Sequence, residues 1–262
     1  MRTFWILFKK EMVESMKNGK WIWLPITLII LGISQPITTY FMPQILEMAG
    51  NLPEGTVIEL PTPTGEEVLS GVLSQYGTIG TLLFILASMG MIAHERRSGV
   101  LTLIMARPVY SIQYIMSKFA AQSFLLIVSL FFGYALSWYY TNLLFSTITF
   151  QAMISSFMIY SVWVLIVIAT TTFVSTVLKQ AGGIAGVSVI LLGTMGILST
   201  LLPKYMEWSP GNISNEAMLL INETSSSNLW FVSLSSVILI AILLMVAIVT
   251  FNRLESYHQA DF

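Results

Sequence analysis

The side chains with most to offer chemically stand in one run, His94-Glu95-Arg96-Arg97-Ser98-Gly99-Val100-Leu101-Thr102-Leu103-Ile104-Met105-Ala106-Arg107-Pro108. A carboxylate, an imidazole and two guanidinium groups lead straight into an apolar, helix-compatible stretch that Pro108 stops. Such a set can make polar and apolar contacts with another surface, and it is not arranged for catalysis. No His, Asp and Glu set has metal-site spacing, and no glycine-rich loop ends in Gly-Lys-Ser or Gly-Lys-Thr. Cysteine is absent, which excludes disulfides, thiolate ligands and a thiol nucleophile. On spacing alone, two readings of the 94–118 stretch fit equally. One is a short helix across the cytoplasmic face, open to a soluble partner; the other is a basic anchor that only fixes topology.

A second such stretch precedes the first apolar run. Phe4, Phe8, Met12 and Met16 recur every four residues, Trp5 and Val13 widen the stripe, and Lys9, Lys10, Glu14 and Lys17 occupy other faces. The pattern predicts a helix over 1–20 lying in the membrane interface, its lysines reaching the phosphates.

The elements that must position these residues are membrane spans. The chain is 55% hydrophobic and 10% charged, with a mean hydropathy of +0.79, against about 25% charged in a soluble domain. Six charge-free segments stand out, at 21–41, 76–93, 119–140, 152–178, 181–202 and 229–251. The expected architecture is all-α, a single transmembrane domain over 1–262 without a cleavable signal peptide. Pro25 and Pro36 should kink the first span, and Lys179 and Gln180 alone separate the fourth from the fifth, predicting a tight hairpin. Glycines at 182, 183, 186, 193 and 196 allow close helix contact along the fifth.

Orientation follows from the basic residues. With the N-terminus inside, 11 of the 12 lysines and arginines face the cytoplasm, leaving Lys204 outside. The C-terminus is then also cytoplasmic. The outer connections are a long loop (42–75), a short turn (141–151) and a third loop (203–228); inside, 94–118 is the one sizeable loop. The spans carry no Asp, Glu, Lys, Arg or His, which disfavours a proton- or sodium-coupled carrier and an intramembrane metalloenzyme. Trp138, Tyr139, Tyr140, Trp208 and Trp230 fit interfacial anchors. Tyr160, Trp163, Thr170, Thr171 and Thr172 either face a pathway or pack, and packing is the commoner use. Asn212-Ile-Ser and Asn222-Glu-Thr are formal glycosylation sequons.

The run from Glu95 to Lys118 resembles the intracellular loop of the permease subunit of bacterial type-2 ABC transporters. Glu95, Arg96, Gly99, Leu101, Arg107, Pro108 and Lys118 stand at matching positions, while Val100 replaces the usual Thr and Ser117 the Gly before Lys. Phe8-Lys9-Lys10-Glu11 resembles the family's N-terminal elbow helix, and Leu202-Pro203 with Ser209-Pro210 its last outer loop. The resemblance implies an exporter half in the plasma membrane: six spans paired with a second permease copy or paralogue. It also implies a separate cytoplasmic ABC ATPase that holds the ATP and magnesium, with no cofactor on this chain and no nucleic-acid partner. In that reading Glu95, Arg96, Arg97, Gly99, Leu101, Leu103 and Ile104 form the segment that couples to the ATPase. Leu101, Leu103 and Ile104 would fill an apolar groove there. Phe4, Phe8, Lys9, Lys10, Glu11 and Met12 belong to the interfacial elbow. Cargo would be hydrophobic, amphipathic or peptide-like. The rivals are an ion-coupled carrier and a membrane scaffold or sensor that moves no cargo.

Overall fold

Inside hydrocarbon a backbone must satisfy its own hydrogen bonds, and a helix does so within one segment. The computed structural model describes residues 2–49, 63–106, 109–222 and 228–260, and every regular element among them is helical. In chain order these are α1 (Arg2–Lys17), α2 (Lys20–Ala49), α3 (Gly65–Gln75), α4 (Thr81–Ser88), α5 (Ala93–Arg97) and α6 (Val100–Met105). Then follow α7 (Ser111–Leu144), α8 (Phe150–Val177), α9 (Ala181–Leu201), α10 (Ile213–Ile221) and α11 (Leu229–Ala260). Among the described residues, six stretches are long and apolar enough to cross a membrane: Lys20–Leu46, Gly65–Arg97, Ser111–Leu144, Phe150–Val177, Ala181–Leu201 and Leu229–Arg253. They overlap all six charge-free segments of the sequence.

The first three spans outrun those segments by several residues, which corrects the expected connections. At 34 residues, α7 is about 51 Å long, against roughly 30 Å of hydrocarbon. Its ends therefore carry polar residues without leaving the helix. The 94–118 stretch is mostly helix: α5, a turn at Gly99, α6, and the first two turns of α7. Gly99 has φ +73°, a left-handed conformation that glycine adopts freely. The 42–75 loop is helical at both ends. Thr64 caps α3 in a reciprocal box, its hydroxyl accepting from the Glu67 N–H (3.3 Å) while the Glu67 carboxylate accepts from the Thr64 N–H (3.1 Å). The 203–228 loop holds α10, whose Ile213, Ala217 and Ile221 recur every four residues and are buried. Arg107, Pro108 and Glu223-Thr224 of the second sequon lie outside the described residues.

Of the six spanning stretches, α8 is the most enclosed. Its polar side chains pack, as the commoner reading expected. The hydroxyls of Thr170, Thr171 and Thr172 donate to carbonyls four residues back at 2.7–3.0 Å. Trp163 donates to the Thr81 hydroxyl (2.9 Å). Beside it a π-helical turn, Tyr76–Gly80, joins α3 to α4, and Tyr76 donates across to the Leu28 carbonyl of α2 (2.8 Å). Gly32 of α2 and Gly133 of α7 make room: a Cβ on either would stand 2.3 or 2.6 Å from the Tyr76 hydroxyl. Trp138 donates to the Ile148 carbonyl (3.1 Å) and closes the turn into α8, whereas Trp208 and Trp230 are exposed.

Candidate functional site

At one end of the bundle, α1, α5 and α7 meet over a buried set of charges. Lys10 and Glu11 come from neighbouring positions on α1, Glu95 from α5, and Tyr114 and Lys118 from one face of α7, four residues apart. Glu95 is 2% exposed and Lys118 1%. The Lys118 ammonium reaches Glu11 at 2.8 Å and Glu95 at 3.1 Å and donates to the Met91 carbonyl at 2.8 Å. Lys10 pairs with Glu95 as well, and with Glu11 (3.1 Å) and Glu14 (3.2 Å). Tyr114 donates to the other Glu95 oxygen and lays its ring under Lys118 Nζ, 5.2 Å from the centroid. Burial opposes the charge on Lys10, but the Glu11 and Glu95 carboxylates outweigh it and hold its pKa above the usual lysine range.

The cluster is a fastening. A buried charge left alone is expensive, so its partners must stay together. Three carboxylates, Glu11, Glu14 and Glu95, converge closely enough to ligate a metal ion, yet Lys10 and Lys118 already stand where a cation would sit. Glu95 and Lys118 also neutralise each other, unlike the lone ionisable group of an ion relay.

The expected coupling residues divide between two surfaces. Glu95 faces inward and is unavailable to another protein in this arrangement. Arg96 turns onto the C-terminal end of α8, donating to the carbonyls of Ser175, Thr176 and Leu178 at 3.3–3.5 Å. Arg97 is exposed. Leu101, 3% exposed, packs with Ile92, Tyr114, Ile115, Ala247 and Phe251. It therefore roots α6 in its own bundle instead of filling a partner's groove. Leu103 is 71% exposed and Ile104 partly so. Both line a groove of about 500 Å³ with Ile6 and Leu7 of α1, Val100 and Val109.

α1 itself has three faces. Leu7, Lys10, Glu11 and Glu14 turn toward the bundle, and Lys9 and Lys17 are exposed. Trp5, Val13 and Met16 are exposed too, while Phe4, Phe8 and Met12 are half-buried. The apolar stripe and the charges beside it were legible in sequence; the ion pairs those charges make were not. Tyr114 was missed altogether. The signal was present, an aromatic hydroxyl and a lysine one turn apart opening a long apolar helix, where a charge must find a partner.

A bundle of six apolar helices with a helix lying along its charged end defines a multi-pass helical membrane protein. Residues 5–255 match the family model described as ABC-2 family transporter protein, and the chain belongs to that family. Its members are membrane components of transporters and are not themselves catalytic. An uncharacterized transmembrane protein of Bacillus subtilis (strain 168), YxlG, is 37% identical over 259 residues, covering 98% of this chain and all of that one.

Proposed function

We propose that this chain is the permease subunit of an ATP-driven exporter, forming half of the pathway with a second copy or paralogue. A cytoplasmic ATPase that binds ATP and magnesium drives it. Its N- and C-termini face the cytoplasm, as the lysine and arginine distribution favours. The observation that carries this reading is the fastening of the α5–α6 turn. Leu103 stands out at the tip, while ionic contacts tie the root to α1 and α7 and Arg96 ties it to α8. A push on α6 is thereby delivered to three helices at once. The contact surface differs from the one expected from sequence: it is Leu103, Ile104 and the groove beside α1, with Glu95 as a strut behind it. The exposed faces of the spans are apolar and aromatic, Phe124, Phe132 and Ile190 among them, which favours hydrophobic, amphipathic or peptide-like cargo.

Co-purification with the ABC ATPase proposed to drive it tests the proposal. Leu103→Asp, on an exposed position, should leave the bundle folded and abolish the permease-dependent rise in ATP turnover. Equal stimulation by the substituted chain would overturn the coupling role.

A further inference from the structure

A polar pocket of about 300 Å³ opens at the same end, on the other side of the charge cluster. Its walls come from α1, the start of α2, α5, α7 and the first residue of α9. Several donors that line it lack an acceptor among the described residues. Gln122 of α7 is 5% exposed, and its amide nitrogen has no hydrogen-bond partner. Native structures rarely leave a buried amide so. Lys20 gives one N–H to the Ala87 carbonyl (2.8 Å), leaving its other two without an acceptor among the described residues. His94 and the exposed Arg97 line the mouth. Ala181 opens α9 at the pocket edge, and Gln180 supplies no side-chain cap, so the first N–H groups of that helix point outward unpaired. The two carboxylates in the wall are each paired with lysines of the charge cluster through one oxygen. Glu11 holds Lys10 and Lys118, and Glu14 holds Lys10.

We propose that this pocket binds a phosphate-bearing anion, with Lys20, Arg97, the Gln122 amide and the α9 N-terminus as its donors. A phosphate oxygen accepts several hydrogen bonds at once and is favoured at a helix N-terminus. The pocket lies where the first span begins, within reach of lipid headgroups, and a free phosphate offers the same chemistry. The inference does not depend on the exporter reading.

The test uses the full chain purified in detergent. Native mass spectrometry follows retention of phosphatidylglycerol, with phosphatidylcholine as the zwitterionic control. Thermal unfolding in sodium phosphate against sodium chloride at matched ionic strength tests the free ion. Saturable binding is expected, weakened about tenfold in Arg97→Gln and in Gln122→Leu. Gln122→Leu removes only an unpaired donor, so without added anion it should unfold no earlier than the unsubstituted chain. Retention of phosphatidylglycerol over phosphatidylcholine would identify a lipid source, and a shift with inorganic phosphate alone a soluble one. The proposal is overturned if no probe binds saturably, or if both variants bind as tightly as the unsubstituted chain.

Discussion

Without the ammonium of Lys118, Glu11 keeps only Lys10, and Glu95 keeps Lys10 and the Tyr114 hydroxyl. Removing one member of a buried ionic set costs roughly 3–5 kcal/mol, so Lys118→Met should lower the unfolding temperature clearly. Adding Glu95→Gln should recover part of the loss, because the two side chains are in contact and their effects do not add. Additive losses would mean that they act independently. Lys10 contributes a pH signature of defined sign. Its folded pKa lies above the usual lysine value, so its stabilisation is complete below that value and disappears as pH rises through the folded one. Unfolding temperature should therefore stay level through neutral pH and fall only in strongly alkaline solution. Sequence alone singled out Lys10, Glu11, Glu95 and Lys118 as separate motif positions. Their convergence depends on three elements meeting, and local spacing encodes no such meeting.

At the scale of elements, charge-free windows located every span but understated the length of the first three. A window stops at the first charge, whereas a helix continues for as long as its polar residues find water, headgroups or one another. That is why Gly65–Gln75 and Ser111–Lys118 read as loops in the sequence. The α5–α6 turn makes a sharper demand at Gly99. Nothing lies within 4 Å of a Cβ placed there, so only the backbone conformation resists a side chain. Gly99→Val should cost about 1–2 kcal/mol while moving α6 relative to its fastening. The checkable outcome is a folded chain that still binds its ATPase but stimulates it less. Undiminished stimulation would show that the angle between α5 and α6 is immaterial.

For the whole molecule, composition was enough to establish six spans and an all-α fold, since the number of long apolar stretches sets the architecture. It gave no order of burial among them. The fifth span carries the most conspicuous glycines, yet Gly182, Gly186, Gly193 and Gly196 have nothing within 4 Å of an added Cβ. Gly193 and Gly196 instead border a cavity of about 650 Å³ shared with Trp163, Thr78 and Ser214. Close packing between spans is made possible by glycines such as Gly32 and Gly133, around the Tyr76 hydroxyl. Alanine should separate the two kinds. Gly133→Ala is expected to destabilise by about 1–3 kcal/mol through overpacking, whereas Gly193→Ala should leave unfolding unchanged. Equal effects on thermal unfolding would contradict this division.

The charge cluster also sets an order of assembly. Lys10 and Glu11 are synthesised first, Glu95 follows after two spans, and Lys118 comes only with the third. Until the ribosome has delivered α7, Glu95 lacks both its Lys118 and its Tyr114 partners. A nascent chain halted before that point holds the Glu95 carboxylate against Lys10 alone, so the bundle's ionic lock closes only with the third span.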